Sequence, residues 1–194
     1  MTLSGFITIL ITSILIENYV FSRFLGICPF LGLSDKPSTA LGMGGAVTFV
    51  MTLSTAITWA IYHFILVPFE LEYLKTIAFI LVIASLVQFI EMFLRKSVPA
   101  LYSALGIYLP LITTNCAILG AAILCIQNEY EFLESIIFSF GSAIGWTLAI
   151  FVFAGVRARV NFAEPPKCFK GTPIALVTAC LIAMAFSGFQ GYAG

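Results

Sequence analysis

Residues 3 to about 33 form one apolar stretch that is too long to cross a membrane as a single straight helix. At about 1.5 Å per residue such a helix would measure roughly 46 Å, against about 30 Å for the hydrocarbon core. The motif Gly26-Ile27-Cys28-Pro29-Phe30-Leu31-Gly32 lies in this stretch, and Pro29 should break the helix because proline has no backbone N–H to donate. Non-helical backbone survives at membrane depth only where protein or a cavity satisfies its polar groups. The sequence therefore predicts a buried helix break beside Cys28.

Composition extends this interpretation to the whole chain. Hydrophobic residues make up 61% of the 194 residues and charged residues only 9%, against roughly 25% charged residues in soluble domains. No basic cluster is interleaved with aromatic residues and the formal net charge is zero, so a nucleic-acid partner has no support. We predict an all-α integral membrane protein with six transmembrane helices. After the first, their predicted ranges are 39 to about 66, about 74 to 94, about 99 to 126, about 133 to 156 and about 172 to 192.

The motif around Cys28 recurs in the second half of the chain. Cys28 and Cys116 each begin the same pattern, a cysteine followed by two residues, a leucine and a glycine. The predicted fourth span is also too long for one straight helix, and it holds Pro110 shortly before Cys116. We therefore expect helices 1 and 4 to be broken, each beside a cysteine.

A second internal similarity supports a duplicated unit. Gly42 and Thr48 of the second span match Gly141 and Thr147 of the fifth with the same separation. Six spans then form two repeats of three within a single transmembrane domain, about 1–97 and about 98–194. Because three is an odd number, the second repeat should lie inverted in the membrane relative to the first.

The distribution of basic residues predicts the orientation. Loops rich in Lys and Arg face the cytoplasm. The loops after spans one, three and five are therefore predicted to be cytoplasmic, and both termini to face the outer or periplasmic side. These loops hold Lys36, Arg95, Lys96, Arg157, Arg159, Lys167 and Lys170, whereas those after spans two and four hold only Lys75.

Two of the five cysteines are candidate metal ligands. Cys125 and Cys180 in apolar spans are interpreted as small hydrophobic residues, and Cys168 as a free cytosolic thiol. Cys28 and Cys116 differ because each lies beside a break, where the ends of half-helices create binding sites. Thiolates select iron–sulfur clusters, zinc or copper(I). An iron–sulfur cluster ordinarily needs four protein ligands, so two more should come from a similar partner protein.

Polar residues within the spans suggest further roles. Acids inside a membrane are candidates for an ion path, which singles out Glu17 beside Asn18 and, in span three, Glu91. The alternative is that Glu17 pairs with Arg23, and Glu91 with a basic residue one helical turn on.

The run Thr113-Thr114-Asn115 before Cys116 is open to two interpretations. It could satisfy backbone groups freed by the break, or donate hydrogen bonds to the sulfurs of a cluster and so tune its potential. His63 is interpreted as a residue of the membrane interface.

Three segments resemble the RnfA/NqrE family of membrane proteins, and within it the RnfA members, and the resemblance runs essentially end to end. The segments are GICPFLG at 26–32, AFILVIASLVQFIEM at 78–92 and LPLITTNCAILG at 109–120. RnfA proteins belong to the membrane part of the Rnf complex, an ion-translocating ferredoxin:NAD+ oxidoreductase. Their relatives include NqrD and NqrE of the sodium-pumping NADH:quinone reductase. The resemblance implies one component of an enzyme complex, without a complete active site of its own.

The resemblance also implies a cofactor, partners and a location. Cys28 and Cys116, with two cysteines of the homologous protein RnfE, would hold a two-iron two-sulfur (2Fe-2S) cluster within the bacterial cytoplasmic (inner) membrane. RnfB, RnfC, RnfD and RnfG would be further partners, and either Na+ or H+ would be translocated. Two alternatives stay open: NqrE of the Na+-translocating NADH:quinone reductase, or a transporter without redox chemistry whose cysteines are inert.

Overall fold

The computed structural model describes residues 3–16, 18–33, 37–97, 109–162, 166 and 170–190. This part of the chain is helical and contains no strand, which confirms the all-α prediction. Three tighter or wider turns accompany the α-helices: π-helical turns at Thr12–Ile16 and Tyr62–Leu66 and a 3-10 turn at Glu72–Leu74. The α-helices are α1 (Leu3–Ile11), α2 (Ile27–Leu33), α3 (Pro37–Ile61), α4 (Lys75–Ser97), α5 (Leu109–Thr113), α6 (Cys116–Gln127), α7 (Phe132–Phe162) and α8 (Thr172–Gln190).

Three helical stretches in the described ranges are long and apolar enough to cross a membrane: Ala40–Leu66, Glu72–Phe93 and Phe132–Val160. They coincide with the predicted second, third and fifth spans. Shorter apolar helices lie at Leu111–Gln127 and Thr172–Gly188, where the fourth and sixth spans were predicted. The number of six spans and the inverted repeat stay predictions.

Helices α3 and α7 cross at the centre of the protein. A side chain at Gly44 would collide with Thr147, so the two backbones approach closely there. The hydroxyls of Thr48 and Thr147 each donate to the carbonyl one turn earlier, at 2.7 Å to Gly44 and 2.8 Å to Ala143. Threonine can therefore face this apolar crossing without an unpaired donor.

The first broken helix packs against α7. A Cβ at Gly145 would lie 2.8 Å from the Ile14 carbonyl oxygen, and one at Gly141 would collide with Ser13. Two small residues four apart thus let the π-helical turn approach the backbone of α7. On the other side of the centre, α6 packs against α3.

Both predicted breaks exist, but neither lies at its proline. The first covers residues 18–26, and Pro29 follows it inside the first turn of α2. A missing N–H matters little there, because the first N–H groups of a helix have no intrahelical acceptor. The second break consists of Thr114 and Asn115, whereas Pro110 lies before it in α5. The breaks therefore come earlier than Pro29 and later than Pro110.

Helix α7 continues beyond the predicted end of the fifth span and places Arg157 and Arg159 on a helix rather than in a loop. The half-buried Arg157 donates from Nη1 to the carbonyl oxygen of Leu31 at 2.9 Å. This bond satisfies one of the last carbonyls of α2 and docks that short helix onto α7. Lys36, Cys168 and Glu17 lie outside the described residues.

Candidate functional site

The two predicted ligand cysteines occupy equivalent positions at the starts of helices. Cys28 is the second residue of α2, and Cys116 is the first residue of α6. The Cys28 side chain is exposed, and that of Cys116 is half-buried. In both cases the first turn of the helix leaves backbone N–H groups without helical acceptors, and the partial positive charge there favours an anionic group.

A hydrogen bond joins the two cysteine motifs. The backbone N–H of Gly26, two residues before Cys28, donates to the Cys116 sulfur at 2.9 Å. Gly26 is buried and has φ of +78°, in the left-handed region that glycine adopts without steric cost. The break in the first half of the chain therefore lies directly against the sulfur of the second motif.

Trp146 of α7 holds Gly26 from the opposite side. Its indole Nε1 donates to the Gly26 carbonyl oxygen at 3.3 Å, and its side chain is fully buried. A Cβ at Gly26 would lie 2.6 Å from that nitrogen and 3.1 Å from the Cβ of Ala117. Gly26 is thus enclosed between α6 and α7 with no room for a side chain.

Asn18 fastens the other end of the first break to α7. Its Nδ2 donates to the Gly145 carbonyl oxygen at 2.9 Å, and its Oδ1 accepts from the N–H of Val20 at 3.1 Å. The side chain is buried. Asn18, singled out with Glu17 beside a possible ion path, therefore supports the non-helical backbone.

Asn115 forms the second break and has one donor left over. Its Oδ1 accepts from the N–H of Ala117 at 3.1 Å, the geometry of a helix N-cap for α6. Its Nδ2 has no partner although the residue is only 3% exposed. A buried donor without an acceptor costs about 1–3 kcal/mol, so the residue next to Cys116 carries an unused hydrogen bond.

The remaining candidates lie in other surroundings. Cys125 is buried in α6, with its sulfur 3.8 Å from both the Ser135 carbonyl oxygen and Ser139 Oγ. Cys180 is exposed on α8. Glu91 is half-buried on α4. Within the described ranges, no three His, Cys, Asp or Glu side chains come together in a way that could hold a metal ion.

His63 lies on the π-helical turn after α3, where it is exposed and stacks on Trp59 with ring centroids 4.1 Å apart. This environment agrees with its interpretation as an interfacial residue.

Sequence reasoning missed Trp146 and Gly145 as parts of this site. The pattern Gly141-x-x-x-Gly145 in an apolar helix was a usable signal, because small residues four apart mark close packing between membrane helices. It would have indicated a contact face on α7. It would not have indicated that the first break is the partner.

Comparisons with known proteins identify close relatives over nearly the whole chain. The family described as Rnf-Nqr subunit, membrane protein, matches residues 6–193. In the Na(+)-translocating ferredoxin:NAD(+) oxidoreductase complex of Acetobacterium woodii, the component lettered A is 59% identical over 185 residues, 95% of this chain and 96% of the relative. In the ion-translocating oxidoreductase complex of Syntrophotalea carbinolica, the component lettered A is 56% identical over 189 residues, 97% and 98% of the two chains. The protein of that name from Aeromonas salmonicida is 51% identical over 189 residues, again 97% and 98%.

Proposed function

Because the chain belongs to the Rnf-Nqr subunit family of membrane proteins, we propose that it is the RnfA component of an Rnf-type ion-translocating oxidoreductase. In this proposal it takes part in electron transfer from ferredoxin to NAD+ and couples that transfer to the movement of Na+ or H+. The relatives are named as the components lettered A of ion-translocating oxidoreductases, one of them a ferredoxin:NAD(+) enzyme. These names favour the proposed function over the quinone reductase alternative.

The cofactor that we propose is a 2Fe-2S cluster bound by Cys28 and Cys116. The observation that carries this proposal is the hydrogen bond from Gly26 to the Cys116 sulfur, because it brings the two cysteine motifs against each other. Among the described residues no third His, Cys, Asp or Glu joins them to complete a metal site. We therefore propose that the homologous protein RnfE supplies the other two thiolates.

The residues around Cys116 fit an anionic sulfur cluster. The unpartnered Asn115 Nδ2 is a buried donor that needs an acceptor, and the sulfurs of a cluster are acceptors. The Gly26 N–H already donates to one ligand sulfur. Both cysteines also lie at helix N-termini, where a negative group is stabilised. Each of these features lowers the free energy of extra negative charge at the site.

Each of these residues has a distinct role in the proposal. Cys28 and Cys116 are the metal-binding thiolates, while Gly26 and Asn115 donate to sulfur. A cluster held there would supply a one-electron carrier inside the membrane. Asn18 and Trp146 keep the broken backbone in place and so exclude lipid and water from its polar groups. Glu91, half-buried on α4, and Glu17 are proposed for the ion path.

The proposed setting is the bacterial cytoplasmic (inner) membrane, with both termini on the outer or periplasmic side. Several apolar helices of spanning length support a multi-pass membrane protein. RnfB, RnfC, RnfD and RnfG are proposed as the other partners. The basic residues near the ends of α4 and α7 support the orientation by the positive-inside rule.

The test is to replace single cysteines in the chain co-expressed with its homologous membrane partner. We expect Cys28→Ser and Cys116→Ser to lose iron and the electron paramagnetic resonance signal of the dithionite-reduced complex. Cys180→Ser is the matched control, because that thiol is exposed in an apolar helix, and it should keep both. Cys125→Ser and Cys168→Ser should also keep them.

Full iron content in Cys28→Ser or Cys116→Ser would contradict the ligand assignment. An unmodified complex that is free of iron and fully active would instead favour transport without redox chemistry.

A further inference from the structure

We propose that Trp146 is a positioning residue for Cys116, because its indole fixes Gly26 so that the Gly26 N–H donates to the ligand sulfur. This inference rests on the proposed function, since it concerns the reduction potential of a cluster bound through Cys116. Trp146 itself does not touch the sulfur in this account. It acts through one glycine.

The geometry of Gly26 carries the proposal. Its carbonyl oxygen accepts from Trp146 Nε1 at 3.3 Å, and its N–H donates to Cys116 Sγ at 2.9 Å. Both peptide groups that flank its Cα are therefore held by hydrogen bonds. The absence of space for a Cβ, 2.6 Å from the indole nitrogen, shows that the ring also packs tightly against this backbone.

The segment 18–26 has two anchors on α7, and they are neighbours in sequence. Asn18 donates to the carbonyl of Gly145, and the next residue, Trp146, donates to Gly26. Within the segment, Ser22 N–H donates to the Asn18 carbonyl and Leu25 N–H to the Tyr19 carbonyl, at 2.9 and 2.8 Å. The loss of the Trp146 donor would release the end of the segment that contacts sulfur and leave the other end attached.

A hydrogen bond to a ligand sulfur raises a cluster's reduction potential. The reduced state carries one more negative charge, so a donor to sulfur stabilises it more than the oxidised state. If Trp146 sets the strength of the Gly26 hydrogen bond, its replacement should lower the potential while the cluster stays bound. We expect about a tenfold change in the equilibrium, which equals about 59 mV for a one-electron couple.

The variant is Trp146→Phe, which removes the N–H and keeps an aromatic ring. The matched control is Trp59→Phe, because Trp59 Nε1 likewise donates to a backbone carbonyl, that of Tyr130 at 3.1 Å, outside the cysteine site. Each variant is purified as the complex with the homologous membrane partner. Iron content is measured first, and the midpoint potential is then determined by a redox titration followed by electron paramagnetic resonance.

We expect Trp146→Phe to retain iron and to have a lower midpoint potential, and Trp59→Phe to match the unmodified complex. Full iron content with an unchanged potential in Trp146→Phe would overturn the positioning role and leave the proposed function intact. An equal shift in both variants would also overturn it, because a general loss of packing would then be the cause. A complex that contains no cluster without any substitution would overturn the proposed function and this inference with it.

A second measurement covers the case in which Trp146→Phe does not assemble. In the unmodified complex grown with 15N-glycine, the Gly26 amide nitrogen should show an isotropic hyperfine coupling to the reduced cluster through its hydrogen bond to Cys116. Absence of any 15N coupling would overturn the proposal without recourse to a variant.

Discussion

The two helix breaks stand before equivalent cysteines but are stabilised in different ways. The first, residues 18–26, depends on distant partners: Asn18 bonds to a residue 127 positions away, and Trp146 reaches Gly26 across 120 positions. The second, Thr114 and Asn115, is closed by a local cap in which Asn115 accepts from the residue two positions on. One break is therefore a product of tertiary packing and the other of local sequence.

This difference means that damage to α7 should affect the first break much more than the second. Helix α7 supplies both anchors of segment 18–26. The cap of α6, in contrast, lies within its own chain segment. The next three predictions test this asymmetry in the purified chain in detergent, by its thermal unfolding midpoint.

The largest effect is expected for Gly145→Ala. The added Cβ would lie 2.8 Å from the Ile14 carbonyl oxygen and 3.1 Å from the Ile14 Cα, and backbone atoms cannot rotate away. Overpacking of this kind costs about 1–3 kcal/mol and occasionally more. We expect a clear drop in the midpoint. The control is Gly155→Ala on the same helix, where no atom lies within 4 Å of the new Cβ, and alanine should be neutral or mildly stabilising there.

If Gly145→Ala unfolded at the same temperature as Gly155→Ala, the close contact between the first broken helix and α7 would not contribute to stability.

A smaller loss is expected for Asn18→Ala. The substitution removes the hydrogen bonds to the Gly145 carbonyl and the Val20 N–H in a buried environment, which costs about 1–3 kcal/mol. The second break should be unaffected. Labelling of a thiol reports this separately, because the reaction rate of Cys28 with a maleimide should change more than that of the buried Cys125. Equal changes at both thiols would indicate global rather than local loosening.

The smallest effect is expected for Asn115→Ser. Serine preserves the N-cap acceptor for the Ala117 N–H and removes the unpartnered Nδ2, so its free energy of unfolding should lie within about 0.5 kcal/mol of the original. Asn115→Ala removes the cap as well and should cost about 1 kcal/mol more than serine. A serine variant as unstable as alanine would show that the Nδ2 group, and not the cap, stabilises the second break.

Several features of the fold follow from local sequence and were predicted correctly. The range 39 to about 66 matches α3 with its π-helical turn to Leu66, because an apolar run of membrane length is a local property. The breaks in the first and fourth apolar stretches were also expected, since a helix as long as either would exceed the membrane. The placement of the breaks at Pro29 and Pro110 was wrong, because a proline in the first turn of a helix is tolerated and one near its start does not end it.

Sequence alone determined the class of the protein, the helix-start positions of Cys28 and Cys116 beside breaks, and the presence of a polar group at Asn115 that could satisfy one of them. Each of these depends on residues within a few positions of each other. Only the tertiary structure decided that Gly26 lies on the Cys116 sulfur and that Trp146 and Gly145 hold the first break. Those contacts join residues 90 to 127 positions apart, and they form because small residues on α7 let a non-helical backbone approach closely enough for hydrogen bonds. Hydropathy is blind to such an approach, since it records which segments avoid water and not which of their faces meet.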